Sequence, residues 1–421
     1  MSAAEIDRLP AIGSALRLAA RRFGTPLYLT DVATLDEASA RVRAAFPDPW
    51  IRQYSVKAND TPAVVALVAE RGFGANVVSG GEWAIARRAG IPDERITLEG
   101  VGKTDADLRA AVRSWRDARP LRWLSIESPE EVDVLARLTT GRRRPRTSFD
   151  VLIRFNPDVA PETHAGLAVG GGASKFGLTE AELSQLVESM GRGPIRSRGI
   201  HLHVGSQLGT VDAWRDGVRR ALALLALLRG SRPEFDTLDV GGGFPIAPLG
   251  TPAPGPERFA REVEPLLEGI PRDRQPTRWA VEPGRAVVAR AGWLLSRVLH
   301  VRVRDIRQVV IDAGMTELIR PALYGAIHPI VALTSLGQPI EEWAALASEG
   351  VRVEGPICES TDSLGVHRLP PLRRGDLVAI RDAGAYAASM ASSYNGRRKA
   401  RQVLLEPDGR LVLAGRSLAL G

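Results

Sequence analysis

Cysteine is nearly missing from this 421-residue chain: Cys358 stands alone, and one cysteine forms no intrachain disulfide. Long apolar runs are missing too, none approaching the ~20 residues that span a bilayer. Residues 1–10 carry Glu5 and Asp7 and lack the apolar stretch of a secretory signal. A cytoplasmic enzyme with no membrane partner fits these absences. Lysine is scarce: Lys57, Lys103, Lys175 and Lys399 are the four among 56 basic residues. Arginine stays protonated and cannot form an imine, so a chain built on arginine retains lysine where amine chemistry requires it. The net charge of +7 is spread along the sequence, apart from Arg142-Arg143-Arg144 and Arg397-Arg398-Lys399. Neither cluster has interleaved aromatics, so both read as solvated faces and no nucleic-acid partner is expected. A G-x-G-x-x-G turn is also missing, which counts against a doubly wound dinucleotide-binding sheet.

Between about residues 30 and 290, short β-type runs alternate with helical stretches. The runs are at 51–56, 75–78, 96–98, 123–126, 151–155, 199–204, 237–240 and 279–282; the helices are at 61–70, 81–89, 104–112, 129–138, 179–190, 211–228 and 256–267. About eight βα units over that length predict an α/β fold with a (β/α)8, TIM-like barrel. After Gly292 the pattern changes to strands at 293–303, 308–311, 351–353, 377–380, 402–405 and 410–413, with Asp408-Gly409 as a hairpin turn. This predicts a C-terminal β-rich domain of barrel or sandwich type, which the strand at 26–30 is expected to join. The expected division is a barrel over 31–290 and a β-rich unit made of 1–30 and 291–421. Residues 246–258, rich in proline and glycine, read as an irregular surface loop.

A barrel places its chemistry at the C-terminal ends of its strands, and four motifs fall there. Tyr54-Ser55-Val56-Lys57-Ala58-Asn59 closes the first strand. His201-Leu202-His203-Val204-Gly205-Ser206-Gln207 closes the sixth, where alternation puts both histidines on one face. A His-x-His pair can begin a metal site, but no nearby cluster offers a third ligand at suitable spacing, so no metal is expected. Asp239-Val240-Gly241-Gly242-Gly243-Phe244-Pro245 puts three glycines after the seventh strand, exposing backbone N–H groups and allowing close approach to an anion. Glu282-Pro283-Gly284-Arg285 closes the eighth. A carboxylate beside a pyridine nitrogen keeps that nitrogen protonated, and an arginine fork suits phosphate or carboxylate.

Three further runs lie in the second half: Asp312-Ala313-Gly314-Met315-Thr316-Glu317-Leu318-Ile319-Arg320-Pro321-Ala322-Leu323-Tyr324, Gly355-Pro356-Ile357-Cys358-Glu359-Ser360, and Asp382-Ala383-Gly384-Ala385-Tyr386 followed by Ser389-Met390-Ala391-Ser392-Ser393-Tyr394-Asn395. In order and spacing the whole set resembles the diaminopimelate decarboxylases, pyridoxal-phosphate (PLP) enzymes of the alanine-racemase-like fold. The resemblance implies that Lys57 carries the cofactor and that His203 stacks on its ring. It implies that Ser206, Gly241, Gly242, Gly243 and Arg285 hold the phosphate, that Glu282 sits on the ring nitrogen, and that Pro283 and Gly284 also bind the cofactor. Arg285, Arg320, Tyr324, Glu359 and Tyr386 would bind substrate, Tyr386 touching the cofactor as well, and Cys358 would return a proton to Cα. The family resemblance also implies a homodimer with shared sites, Cys358 and Glu359 reaching the neighbouring subunit.

The reaction so implied is decarboxylation of meso-2,6-diaminoheptanedioate to L-lysine. Glu282, where alanine racemases carry an arginine, argues against racemisation. A small cofactor-binding protein of the same fold would lack the second domain altogether. Ornithine, lysine, carboxynorspermidine or a carrier-bound amino acid stay open as alternative substrates. The chain departs from the family pattern at Phe244-Pro245, at Thr361, and at Glu99-Gly100-Val101-Gly102-Lys103, which lacks a customary asparagine. Lys175-Phe176-Gly177, after His164 and Gly170-Gly171-Gly172, is expected to be a mobile loop that closes over substrate.

Overall fold

The computed structural model describes residues 8–140, 145–172, 174–190, 193–247, 252–333 and 350–414. The arginine cluster at 142–144, residues 1–7 and part of the loop at 246–258 lie outside them.

Eight short parallel strands close into a barrel in chain order. After a leading strand β1 (Leu27–Asp31), these are β2 (Ile51–Ser55), β3 (Gly74–Val77), β4 (Ile96–Leu98), β5 (Trp123–Ile126), β6 (Phe149–Phe155), β7 (Ile195–Leu202), β8 (Thr237–Asp239) and β9 (Arg278–Val281). Helices fill the crossovers, as parallel pairing requires. Two of them start where sequence marks a start: Thr104 caps the helix Asp105–Arg116 in a box with Asp107, and Thr179 caps Glu180–Ser189 with Glu182. Pro62 and Pro129 occupy the first turns of two others. Among the described residues four helices were not anticipated: Arg8–Phe23 before β1, Val32–Ala45 after it, and the short Arg285–Val288 and Arg320–Tyr324.

Alternation along the barrel strands stacks their inward side chains in layers. Lower in the barrel, Trp123, Leu152 and Ala280 pack together as a small apolar floor, with Ile51 against them. Two residues further along their strands the inward set turns polar: Ser125 follows Trp123, Arg154 follows Leu152, and Glu282 follows Ala280. Ser55, Asn76, Glu99, His201 and Asp239 complete that layer, and all eight are buried. Gly199 sets its register. A Cβ there would lie 1.8 Å from the Thr237 carbonyl oxygen, and the bulge beside it pairs His201 with Arg154 on one side and Asp239 on the other.

The rest of the chain forms a nine-stranded mixed sheet. Its strands after the barrel are β10 (Gly292–Val303), β11 (Arg307–Ile311), β12 (Ile330–Leu333), β13 (Val351–Glu354), β14 (Ser363–His367), β15 (Leu377–Ile380), β16 (Arg401–Leu405) and β17 (Leu411–Leu413). β12 and β14 were not anticipated. β1 is interior to the sheet, antiparallel to β10 and parallel to β16. The first helix lays Ile12, Leu16, Ala19 and Ala20 against Leu27, Leu29, Leu295 and Val403 of that sheet, the i, i+4, i+7, i+8 stripe of an amphipathic helix.

Candidate active site

The polar layer opens into a small cleft lined by Lys57, His203, Ser206, Glu282, Arg285 and Tyr386, with Gly243, Phe244, Gly284 and Ser55 between them. Six side chains singled out in sequence, from three barrel strand ends and the β-rich part, thus meet in one place. Lys57 sits in a single 3-10 turn, Val56–Ala58, at the end of β2. The sheet side of the molecule grips that turn. Tyr386 N–H donates to the Ala58 carbonyl (2.7 Å), the Ser389 hydroxyl to the Lys57 carbonyl (2.9 Å), and the Asn59 amide to the Gly384 carbonyl (3.0 Å). Gly384 and Gly292 allow this approach: a Cβ at Gly292 would lie 2.1 Å from the Gly384 Cα.

The triple glycine behaves differently from the expectation that its amides face an anion. Gly241 N–H donates to Asp239 Oδ1 (3.0 Å) and Gly242 N–H to His203 Nδ1 (3.1 Å). Two of the three donors are therefore engaged inside the protein, and the demand for glycine is steric. A Cβ at Gly241 would meet the Leu202 carbonyl at 2.3 Å, at Gly242 the Glu282 carbonyl at 2.3 Å, and at Gly243 the Gly205 carbonyl at 2.7 Å. The bond from Gly242 also makes Nδ1 of His203 an acceptor, so its neutral ring carries hydrogen on Nε2. Burial, then the Lys57 and Arg154 charges, hold His203 well below the usual imidazole range.

Arg285 donates to the Ser206 hydroxyl (3.1 Å) and lies over the Tyr386 ring, 4.8 Å from its centre. Arg320 is buried beside it, and burial followed by the Arg285 charge lowers its proton affinity to about 10. Among the described residues neither guanidinium has a carboxylate partner, and the Nε of each is buried without an acceptor. Buried cations of this kind are stable only when an anion completes them. Tyr324 stands edge-on to His164, ring centres 5.5 Å apart. Cys358 and Glu359 are exposed and do not line the cleft of their own chain. Tyr394 donates to Glu359 at 2.7 Å.

Below the cleft lies an acid cluster that motif reading left incomplete. His201 Nε2 is 3.5 Å from Glu99 and 3.4 Å from Glu282, while its Nδ1 meets the Ser125 hydroxyl at 2.7 Å. No third ligand for a His-x-His pair was expected. Barrel closure brings two carboxyls from strands remote in sequence to His201, and the three polar atoms lie within 4.8 Å of one another. His203 takes no part in that set. Glu282 is raised to about 7 by burial and by Asp239, opposed by a hydrogen bond from Glu99 and by the Lys57 and Arg154 charges. Glu99 and Asp239 are driven well above the carboxylate range, burial again first. Of the loop expected to be mobile, the last residues meet the barrel: Arg154 pairs with Glu127 (2.5 Å) and covers Phe176, and Gly177 N–H donates to Glu127 (3.0 Å).

Residues 32–289 match the family model "Pyridoxal-dependent decarboxylase, pyridoxal binding domain". A diaminopimelate decarboxylase of Aquifex aeolicus is 36% identical over 398 residues, 94% of this chain and 90% of the relative. That of Deinococcus radiodurans is 38% identical over 393 residues, 93% and 92% of the two chains. The chain belongs to the diaminopimelate decarboxylase family. The fold agrees: the crystal structure of diaminopimelate decarboxylase from Helicobacter pylori, complexed with L-lysine, superposes with a TM-score of 0.84 at 28% identity, covering 94% of this chain and 95% of the other. The family's cofactor is pyridoxal phosphate, and the residues present fit it. The cleft holds a lysine, a buried carboxyl whose Oε1 has no donor, a buried arginine short of an anion, and a turn that tolerates no Cβ. No helix among the described residues is long and apolar enough to cross a membrane.

Proposed function

We propose that this chain decarboxylates meso-2,6-diaminoheptanedioate to L-lysine and carbon dioxide with pyridoxal phosphate, in the cytoplasm, as a homodimer with shared active sites. The observation that carries the substrate is Arg320, a buried guanidinium with no carboxylate partner among the described residues, beside an equally buried Arg285. One anion, the cofactor phosphate, suits Arg285, Ser206 and the glycine turn. The α-carboxylate is the group that is lost, so a second cation calls for a carboxylate that stays, which a diamino acid with a distal carboxylate brings and ornithine or lysine does not. The relatives' names and the L-lysine bound in the Helicobacter pylori structure support the same substrate and product.

Pyridoxal phosphate, when bound, supplies an electron sink for breaking the bond between the α-carbon and its carboxylate. In this reading Lys57 attaches the cofactor, His203 covers its ring and Glu282 holds a proton at the ring nitrogen. Gly241, Gly242 and Gly284 let the backbone approach closely, and Arg285 neutralises phosphate. Arg320, Tyr324 and Tyr386 orient the substrate. Carbon dioxide leaves, and the electron pair left at the α-carbon takes a proton from Cys358 of a second copy, whose Glu359 receives the distal ammonium. The exposure of Cys358 and Glu359 supports delivery to a neighbouring subunit. The division into a barrel over 31–290 and a β-rich unit from 1–30 and 291–421 belongs to the same proposal, supported by the pairing of β1 with β10 and β16.

The test is carbon dioxide release over a panel of diaminopimelate, ornithine, lysine and carboxynorspermidine. Diaminopimelate is expected to be turned over, and Arg320→Ala to lower its kcat/KM by about 100-fold, from about 3 kcal/mol for a buried charge pair left incomplete. Unchanged diaminopimelate turnover in Arg320→Ala, or a preference for ornithine, overturns the assignment.

A further inference from the structure

The polar layer of the barrel holds more acid than the proposed reaction uses. Glu282 lines the cleft, whereas Glu99 and Asp239 lie beneath it, both fully buried. Glu99 opens the stretch 99–103, which lacks the asparagine customary in the family. Its Oε2 accepts from the Asn76 amide (3.0 Å), and a carboxyl oxygen of Glu99 lies within 4.8 Å of one of Glu282. Oε1 of Glu99 and Oε1 of Glu282 each lack a donor among the described residues.

Two buried carboxyls this close, with an unpartnered oxygen on each, cannot both be anions, so one proton is held between them. The neighbours do not relieve this. His201 is held neutral by its burial, and its Nε2 stands 3.4–3.5 Å from both acids, long for a donated hydrogen bond. Asp239 is itself driven toward its neutral form and takes the Gly241 N–H. The cations that act on the pair, Lys57 and Arg154, act on both members. The asymmetry comes from position: Glu282 faces the cleft and Glu99 does not.

We propose that Glu99 is a positioning residue for the cofactor: as the neutral acid of the pair it donates a hydrogen bond to Glu282 and leaves Glu282 as the carboxylate for the ring nitrogen. This rests on the pyridoxal-phosphate reading above. Without that donor the Glu282 carboxylate loses a charge-assisted hydrogen bond, the proton moves from the ring nitrogen toward Glu282, and the electron sink weakens. Glutamine keeps a donor for Glu282 and an acceptor for Asn76. Methionine keeps the volume and has neither.

The experiment reconstitutes the unsubstituted protein, Glu99→Gln and Glu99→Met with pyridoxal phosphate labelled with 15N at the ring nitrogen. The 15N resonance reports protonation of that atom directly. The unsubstituted protein and Glu99→Gln are expected to give the resonance of a protonated ring. Glu99→Met is expected to move it toward the unprotonated position at the same pH and to lower kcat about tenfold. A Glu99→Met resonance equal to that of the unsubstituted protein overturns the proposal, as does a Glu99→Gln resonance displaced like that of methionine. The glutamine variant decides alone where Glu99→Met does not fold. Failure of the unsubstituted protein to retain labelled cofactor overturns the functional reading itself.

Discussion

Gly242→Ala is the sharpest geometric test of the site. Gly242 has no left-handed φ, so the substitution brings no backbone strain of that kind, and its whole effect is the added methyl. That Cβ would lie 2.3 Å from the Glu282 carbonyl oxygen and 3.3 Å from the Glu282 carbonyl carbon. Both atoms are backbone, which cannot rotate aside as a side chain can. Opening the contact to an acceptable distance takes at least ~0.7 Å of movement between the glycine turn and the strand end that carries Glu282. Overpacking of this sort costs about 1–3 kcal/mol. Catalysis is more exposed than stability, because a displacement near 1 Å at a reacting group costs about 100-fold in rate.

The assay pairs decarboxylation kinetics with thermal denaturation. Gly242→Ala is expected to lose about 30- to 100-fold in kcat while its Tm falls by only a few degrees. Gly102→Ala, where the new methyl meets nothing within 4 Å, serves as control and should keep both values. A fully active Gly242→Ala with unchanged Tm would refute the claim that the turn is glycine for lack of space against Glu282.

Glu127→Ala strands Arg154, buried at 6% exposure, without its 2.5 Å partner; urea denaturation should show a loss of about 3–5 kcal/mol. Glu282 binds its proton more tightly in the folded state, at about 7 against the ordinary 4.5 of a glutamate. Its contribution is therefore complete below about pH 4.5 and is lost as pH rises through about 7. Stability of the cofactor-free protein should fall over that range by about 3 kcal/mol more than in Glu282→Gln, and parallel curves would contradict the shift. Asp362 accepts from Met315 N–H (2.5 Å) and Ile357 N–H (2.7 Å), tying the segment before Arg320 to the loop carrying Cys358. Asp362→Ala should cost about 2–4 kcal/mol in denaturant titration and impair turnover more than cofactor retention.

The barrel was legible because its signals are local. Each strand is a short β-type run before a helix start, and Thr104 and Thr179 mark two of those starts. The helix Arg8–Phe23 escaped because its stripe of Ile12, Leu16 and two alanines is weak between arginines; packing on β1 and β10 decides it. β12 and β14 are only four and five residues long, too short for alternation to separate them from loop. Lys57, His203, Glu282 and Arg285 could be picked out because each sits in a dense motif. Glu99 and Asn76 could not, since each is a lone polar residue at the end of an apolar strand. The available signal was collective: eight strands each end in a polar inward position, which is costly in a barrel core unless a ligand or proton completes it. Cys358 and Glu359 carry a motif but are exposed and do not line the cleft of their own chain; only the proposed homodimer would bring them to one.

Lys57 is held in a way that couples the two halves of the proposed reaction. Both backbone carbonyls of its turn, at Lys57 and Ala58, accept from the 386–389 segment of the β-rich part, and Tyr386 adopts a left-handed backbone (φ 57°) in doing so. The ring of that same Tyr386 lies under Arg285, which in turn holds the Ser206 hydroxyl. A shift of the β-rich part would therefore move the lysine turn, the aromatic ring and the arginine together. In the proposed reading, attachment of the cofactor and recognition of its phosphate would depend on one seam, closed by Gly292 and Gly384, where a side chain on either glycine would push the two parts of the molecule apart. The barrel alone would leave both carbonyls of the lysine turn without donors and Arg285 without its aromatic support. In the proposed reading the β-rich part is thus needed for holding the cofactor as much as for choosing the substrate.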